Sequence, residues 1–223
     1  MKLTKQNTIP QCFAIGILFQ TLLIILTAIG IALLNPNIPS PKWVAIANLG
    51  AMTLTAICVF AGLRIAKAKT YMLPTRFVIL LIIAFALLVT AIGVMWHYHK
   101  PDVAMVAITL LLTLILPLYE GVLYRGTMWH KVKKVFHYKW KTWLIHLAVA
   151  TVCQTLYTYG IYQFMLSCGS ELVDPMNIIL TLLLYGTISN AILGGIRCMV
   201  HNFMVPAIVH SWINFAVLYF VIL

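Results

Sequence analysis

Residues 77–96, FVILLIIAFALLVTAIGVMW, run for twenty positions without a charged side chain. About 20 such residues make an α-helix long enough to cross the ~30 Å of a bilayer's hydrocarbon, so this stretch reads as a membrane helix. Comparable runs recur near residues 13–34, 43–63, 103–118, 143–164, 178–196 and 203–221. Together they predict an all-α, polytopic membrane helical bundle of about seven transmembrane helices, built as a single domain over residues 1–223. The composition points the same way: 63% of the chain is hydrophobic and only 9% charged, whereas soluble domains carry about 25% charged residues. Such a chain is neither disordered nor a nucleic-acid-binding module, despite a formal net charge of +11. Cys12, Cys58, Cys153, Cys168 and Cys198 are odd in number and scattered, which implies no disulfide framework.

The positive charge is explained by topology, because cytoplasmic loops keep Lys and Arg while translocated loops lose them. With seven crossings, one side receives Lys2, Lys5, Arg64, Lys67, Lys69, Arg76, Arg125, Lys131, Lys133, Lys134, Lys139, Lys141 and Arg197, and the other only Lys42 and Lys100. That division predicts a cytoplasmic N-terminus in a multi-pass plasma-membrane protein. Asp102, Glu171 and Asp174 then fall outside, which leaves Glu120 as the remaining acid. The first run follows Lys2 and Lys5 like a signal peptide, but it exceeds the usual ~7–15 apolar residues and lacks a convincing cleavage site, so it reads as a retained helix.

Between the runs, Pro36, Pro39 and Pro41 mark an extended outer connection. His97 and His99, flanking Tyr98 beside Trp96, suit an aromatic interfacial belt better than a metal site. The segment from Trp129 to Trp143 mixes aromatic and His residues with five Lys, as expected of a stretch lying along anionic headgroups.

Ionisable side chains in or at the rim of a bilayer are costly and mark candidate functional positions. Here these are Glu120, Arg125, His146 and His210. A rise of about 1.5 Å per residue puts Glu120 roughly 4 Å and His210 roughly 10 Å inside the same membrane boundary. His210 and Asn214, spaced i and i+4, share one helical face and present an imidazole and a carboxamide together, either to an oxyanion or to neighbouring helices. On the sixth run, Gly186, Asn190 and Gly194 form a stripe suited to close packing, with cavity lining as the alternative.

Glu120-Gly-Val-Leu-Tyr-Arg125-Gly126, read with His210-Ser-Trp-Ile-Asn214, resembles the CPBP family of membrane proteins. That family includes CAAX prenyl endopeptidases, bacteriocin-processing enzymes and bacteriocin self-immunity proteins, and carries an EExxxR motif followed later by HxxxN. The resemblance covers residues 103–223, a motif-bearing core. It implies Glu120 as general base toward a water attacking a peptide carbonyl, His210 and Asn214 as oxyanion donors, and Arg125 as the motif's arginine. The second Glu is here Gly121, so Arg125 lacks an acid at i−4. A middle FxxxH motif is also missing: its expected place, residues 153–158, offers Gln154, Tyr157 and Thr158 but no His. His146 lies about two turns away and is given no catalytic role. No HExxH or CxxC occurs, and no metal or other cofactor is assigned. The degenerate motifs most resemble a bacterial self-immunity protein. Its expected partners are the lipid bilayer and a bacteriocin peptide, its membrane receptor or another peptide substrate. An active intramembrane endopeptidase is the alternative, and a non-catalytic membrane scaffold the third reading.

Overall fold

The computed structural model describes residues 5–34, 41–65, 75–167, 175–200 and 202–221. Pro36, Pro39, Cys168, Glu171 and Asp174, which figured in the sequence reading, lie outside them. Every described element is helical: α1 (Lys5–Leu34), α2 (Pro41–Ile65), α3 (Thr75–His99), α4 (Val103–Leu110), α5 (Leu116–Glu120), α6 (Trp129–Phe136), α7 (Lys139–Ser167), α8 (Pro175–Val200) and α9 (Met204–Val221). Two π-helical segments, π1 (Leu111–Ile115) and π2 (Gly121–Met128), join α4, α5 and α6 into one long rod.

The expectation of about seven transmembrane helices is not met. Among the described residues four helical stretches are long and apolar enough to cross a membrane: Asn7–Leu34, Ile79–His99, Met105–Phe136 and Ile179–Val200. The runs at 43–63 and 203–221 contribute shorter apolar stretches, Ile46–Thr55 and Met204–Phe220. The run at 143–164 lies in α7, whose 29 residues are interrupted by polar side chains from Thr142 to Gln163. The run at 103–118 continues through Phe136 in a single rod. With the seven crossings goes the thirteen-to-two division of Lys and Arg, and with it the assignment of a cytoplasmic N-terminus. The chain remains a largely apolar, multi-helix protein consistent with a multi-pass membrane protein.

The outward faces carry its apolar excess: Leu80, Ile82, Ile83 and Leu87 on α3, and Leu184 and Ile188 on α8, are half exposed or more. Inside, Leu23, Met52, Leu123, Val149 and Ala150 belong to a buried core to which α1, α2, π2 and α7 all contribute. Close approach explains several glycines. A Cβ at Gly16 on α1 would stand 2.5 Å from Cys153 Sγ on α7, and one at Gly194 on α8 would stand 2.8 Å from Trp143 Cδ1. Asn48 ties three helices together, its Oδ1 accepting from Thr27 Oγ1 on α1 at 2.8 Å and from the Tyr157 hydroxyl on α7.

The α4–α6 rod positions the acid. Pro117, near the start of α5, has no N–H to give and its ring crowds the preceding turn, which π1 widens. Gly121 opens π2, where the Thr127 hydroxyl donates to the Val122 carbonyl five residues back at 3.1 Å. In a regular α-helix residues i and i+5 stand about 140° apart. A turn closed by i→i+5 bonding takes up an extra residue and brings them much closer to one face.

Candidate functional site

That geometry brings Arg125 to Glu120, a pairing that α-helical spacing disfavours. Arg125 Nη2 lies 3.6 Å from Glu120 Oε2, and His210 Nδ1 on α9 approaches the same oxygen to 3.4 Å. All three residues are buried, and Arg125 is fully so. The arginine therefore turns inward to the acid at i−5. Its Nη2 also donates to Asn190 Oδ1 on α8 at 3.2 Å.

From Asn190 the network continues to α7, because its Nδ2 donates to Gln154 Oε1 at 2.7 Å and reaches Thr151 Oγ1 at 3.4 Å. The stripe of small residues thus serves packing and polar connection together. Gly194 admits Trp143 and His146, Gly186 faces Gln154, and Asn190 bridges α7 to Arg125. Arg197, buried near the end of α8, donates from Nε to the Arg125 backbone carbonyl at 2.9 Å and lies over the Trp129 ring. It fixes the π2 turn from outside.

Asn214 is held on both sides. Its Nδ2 donates to the Leu112 carbonyl at 2.7 Å, and its Oδ1 accepts from the Tyr185 hydroxyl at 2.6 Å. It lines the same cavity as Glu120 and His210, but its engaged amide latches α9 to π1 and α8. His146 stands apart, packed edge-on against Trp129 with ring centroids 5.4 Å apart. Trp129 is itself buried, so the segment it opens has an inward face, whereas Tyr138 and Trp140 are exposed beside Lys141.

The cavity has a volume of about 430 Å³, within the range of small-ligand and peptide side-chain pockets. Glu120, His210 and Asn214 form part of its wall, Gln154, Tyr157 and Thr158 another, and Gln20 and Asn48 a third. The three residues at the expected place of the middle motif therefore all face it, with an amide, a phenol and a hydroxyl instead of an imidazole. Gln20 and Asn48, from α1 and α2, were not singled out in the sequence. A lone amide inside each of two apolar runs was the available signal, since polar groups at such depth need partners. Gln20 Nε2 finds one in the buried Tyr124 hydroxyl.

Gly121, where the family pattern has its second Glu, packs against α9. A Cβ there would lie 3.0 Å from Ala207 Cβ and 3.6 Å from Phe203 Cδ2. Neither α9 nor the rod can yield without moving His210 from Glu120. Gly121→Glu, although it restores the family pattern, is expected to cost about 1–3 kcal/mol by overpacking. Thermal unfolding in detergent reads this as a lowered midpoint, and an unchanged midpoint would show that α9 gives way freely.

Among the described residues no group of three His, Cys, Asp or Glu gathers at metal-binding distance. Comparison of the chain with protein families, curated proteins and solved structures finds no match in any of the three.

Proposed function

We propose that the chain is a CPBP-type protein of a bacterial plasma membrane that acts on a peptide in the Glu120 cavity, in the service of self-immunity to a bacteriocin. The observation that carries the reading is the meeting of Glu120 with both Arg125 and His210 on the wall of a cavity inside an apolar bundle. The motif resemblance supplies the rest of the reading.

The chemistry available follows from these positions. Glu120 is the general base, taking a proton from a water that attacks a peptide carbonyl at the cavity wall and returning it to the departing amine as the C–N bond breaks. Arg125 holds the carboxylate in place and offsets its charge away from bulk water. His210, across from the same oxygen, donates to the carbonyl oxygen as negative charge develops there. Asn214 keeps α9 in register through Leu112 and Tyr185. Occupation of the cavity without hydrolysis is the second reading, favoured by Asn214, whose amide nitrogen and oxygen each already hold a protein partner, and it uses the same wall.

Protection of a susceptible strain tests this reading. Cells expressing wild type, Glu120→Gln or His210→Ala at matched membrane levels are challenged with a panel of bacteriocins. Wild type is expected to protect, and both variants to lose protection. Protection that survives both changes would leave a scaffold that does not use this site. Absence of protection by wild type, with a peptide cleaved in a Glu120-dependent manner, would replace immunity by precursor processing.

A further inference from the structure

The cavity wall holds more polar groups than Glu120 and His210, and most of them already have partners. Thr155, Thr158 and Ser189 donate to backbone carbonyls, the Tyr157 hydroxyl donates to Asn48, and Asn214 is held by Leu112 and Tyr185. Among the described residues, four on this wall keep a buried polar atom with no hydrogen-bond partner: Glu120, His210, Tyr119 and Gln20. Glu120 and His210 face each other at 3.4 Å. The Tyr119 hydroxyl and Gln20 Oε1 have no such counterpart, although Tyr119 is only 1% and Gln20 only 4% exposed. A phenol or amide left unmet at such depth costs stability, so each calls for a partner that the folded chain does not supply.

The two belong to one patch of the wall. Gln20 Nε2 donates to the Tyr124 hydroxyl, and the π2 turn that brings Arg125 to Glu120 also brings Tyr124, one residue earlier, toward the face of Tyr119. The phenol has a proton to give, and the amide oxygen can only accept one. A peptide entering this cavity has the complementary need. Met52, Leu111, Leu116 and Leu218 make much of the wall apolar, so the N–H and C=O of a bound main chain leave water and require partners. A peptide group carries one donor and one acceptor, which the patch can satisfy together. A carboxylate, ketone or ester brings no proton for Gln20 Oε1.

We infer that Tyr119 and Gln20 bind the main chain of the peptide: the Tyr119 hydroxyl donates to a backbone carbonyl, and Gln20 Oε1 accepts from a backbone N–H. The inference rests on the peptide-acting reading above and adds the means by which the same site recognises its ligand, through peptide groups and not through a particular side chain. Tyr119 and Gln20 are binding residues, separate from the carbonyl that His210 faces.

The test uses the full chain in phosphatidylcholine nanodiscs, with binding to empty nanodiscs subtracted. The probes are the capped pentapeptide acetyl-Ala-Leu-Ala-Leu-Ala-amide and its singly ester-substituted forms, in which an oxygen stands for one backbone N–H and every side chain is kept. Wild type is expected to bind the parent about tenfold more tightly than the ester form at one position. Gln20→Met keeps the length of the side chain without its acceptor, and is expected to bind the parent and that ester form equally. Tyr119→Phe deletes the hydroxyl alone. It is expected to bind the parent about tenfold more weakly, to keep the ester step, and to unfold in detergent at a midpoint no lower than that of wild type, because the lost hydroxyl had no partner in the fold. A lowered midpoint, as a hydroxyl serving the fold through a buried water would give, overturns the inference. So does unchanged binding by Tyr119→Phe, an ester step absent from wild type, or one undiminished in Gln20→Met. In those cases Glu120-dependent protection would still stand. Wild type that binds no probe overturns the inference too, and protection indifferent to Glu120 would then remove the peptide-acting reading with it.

Discussion

Arg125→Ala is expected to lose about 3–5 kcal/mol of stability, enough to deplete the protein from the membrane. The guanidinium is fully buried, and its removal leaves Glu120 and the Asn190 amide oxygen without the cation that links them. A cavity of arginine size opens at the same point, beside the π2 turn. Arg125→Lys is expected to recover little, because one ammonium does not reach both Glu120 and Asn190 in the way a planar fork does. Adding Glu120→Gln to Arg125→Ala is expected to return part of the loss, since no uncompensated charge then stays buried. Unfolding midpoints of the two single variants and the double variant check this. Strict additivity would show that the two side chains do not interact.

Glu120→Gln alone is expected to separate function from folding. The amide keeps the shape of the carboxylate and can still accept from Arg125, which holds the loss of stability below that of Arg125→Ala, and the variant is compared with wild type at matched membrane levels. On the proposed function it loses the base, and a positioned general base contributes about 10²–10⁴-fold to a hydrolytic rate. Protection should fall toward that of cells without the protein, at matched membrane level. Retained protection would restrict Glu120 to anchoring Arg125.

Much of this arrangement is legible in the chain. The charge-free run at 77–96 marks α3, and the overall apolar character marks a membrane bundle. Glu120, Arg125, His210 and Asn214 stand out as polar groups in apolar surroundings, and the structure brings Arg125 and His210 to the same Glu120 oxygen while Asn214 lines the same cavity as Glu120 and His210.

The rest was hidden for identifiable reasons. Counting apolar runs ignores what interrupts them, so α7, with polar residues along its length, was counted as a crossing. Helical-wheel reasoning assumes 3.6 residues per turn, and under that spacing Arg125 has no acid at i−4 where Gly121 stands. The π2 turn changes which residues share a face and supplies the acid at i−5 instead. Only Pro117, Gly121 and Gly126 hinted that the rod departs from α geometry. Gly121 itself is explained by the contact with Ala207, which no local pattern reveals. The contributions of Gln20 and Asn48 depend on α1 and α2 packing against the rod and α7, at sequence separations near one hundred residues.

The central claim is that a peptide enters the cavity walled by Glu120 and His210. The most direct measurement places a photo-crosslinking p-benzoylphenylalanine at Val217, on the cavity lining, and separately at Leu87, on the outward face of α3. Cells carrying each form are irradiated with the bacteriocin against which wild type protects them. The account predicts an adduct from position 217 that excess unlabelled peptide competes away, and none from position 87. Adducts formed equally from both positions, or from position 87 alone, would place the peptide on the lipid-facing surface and contradict it.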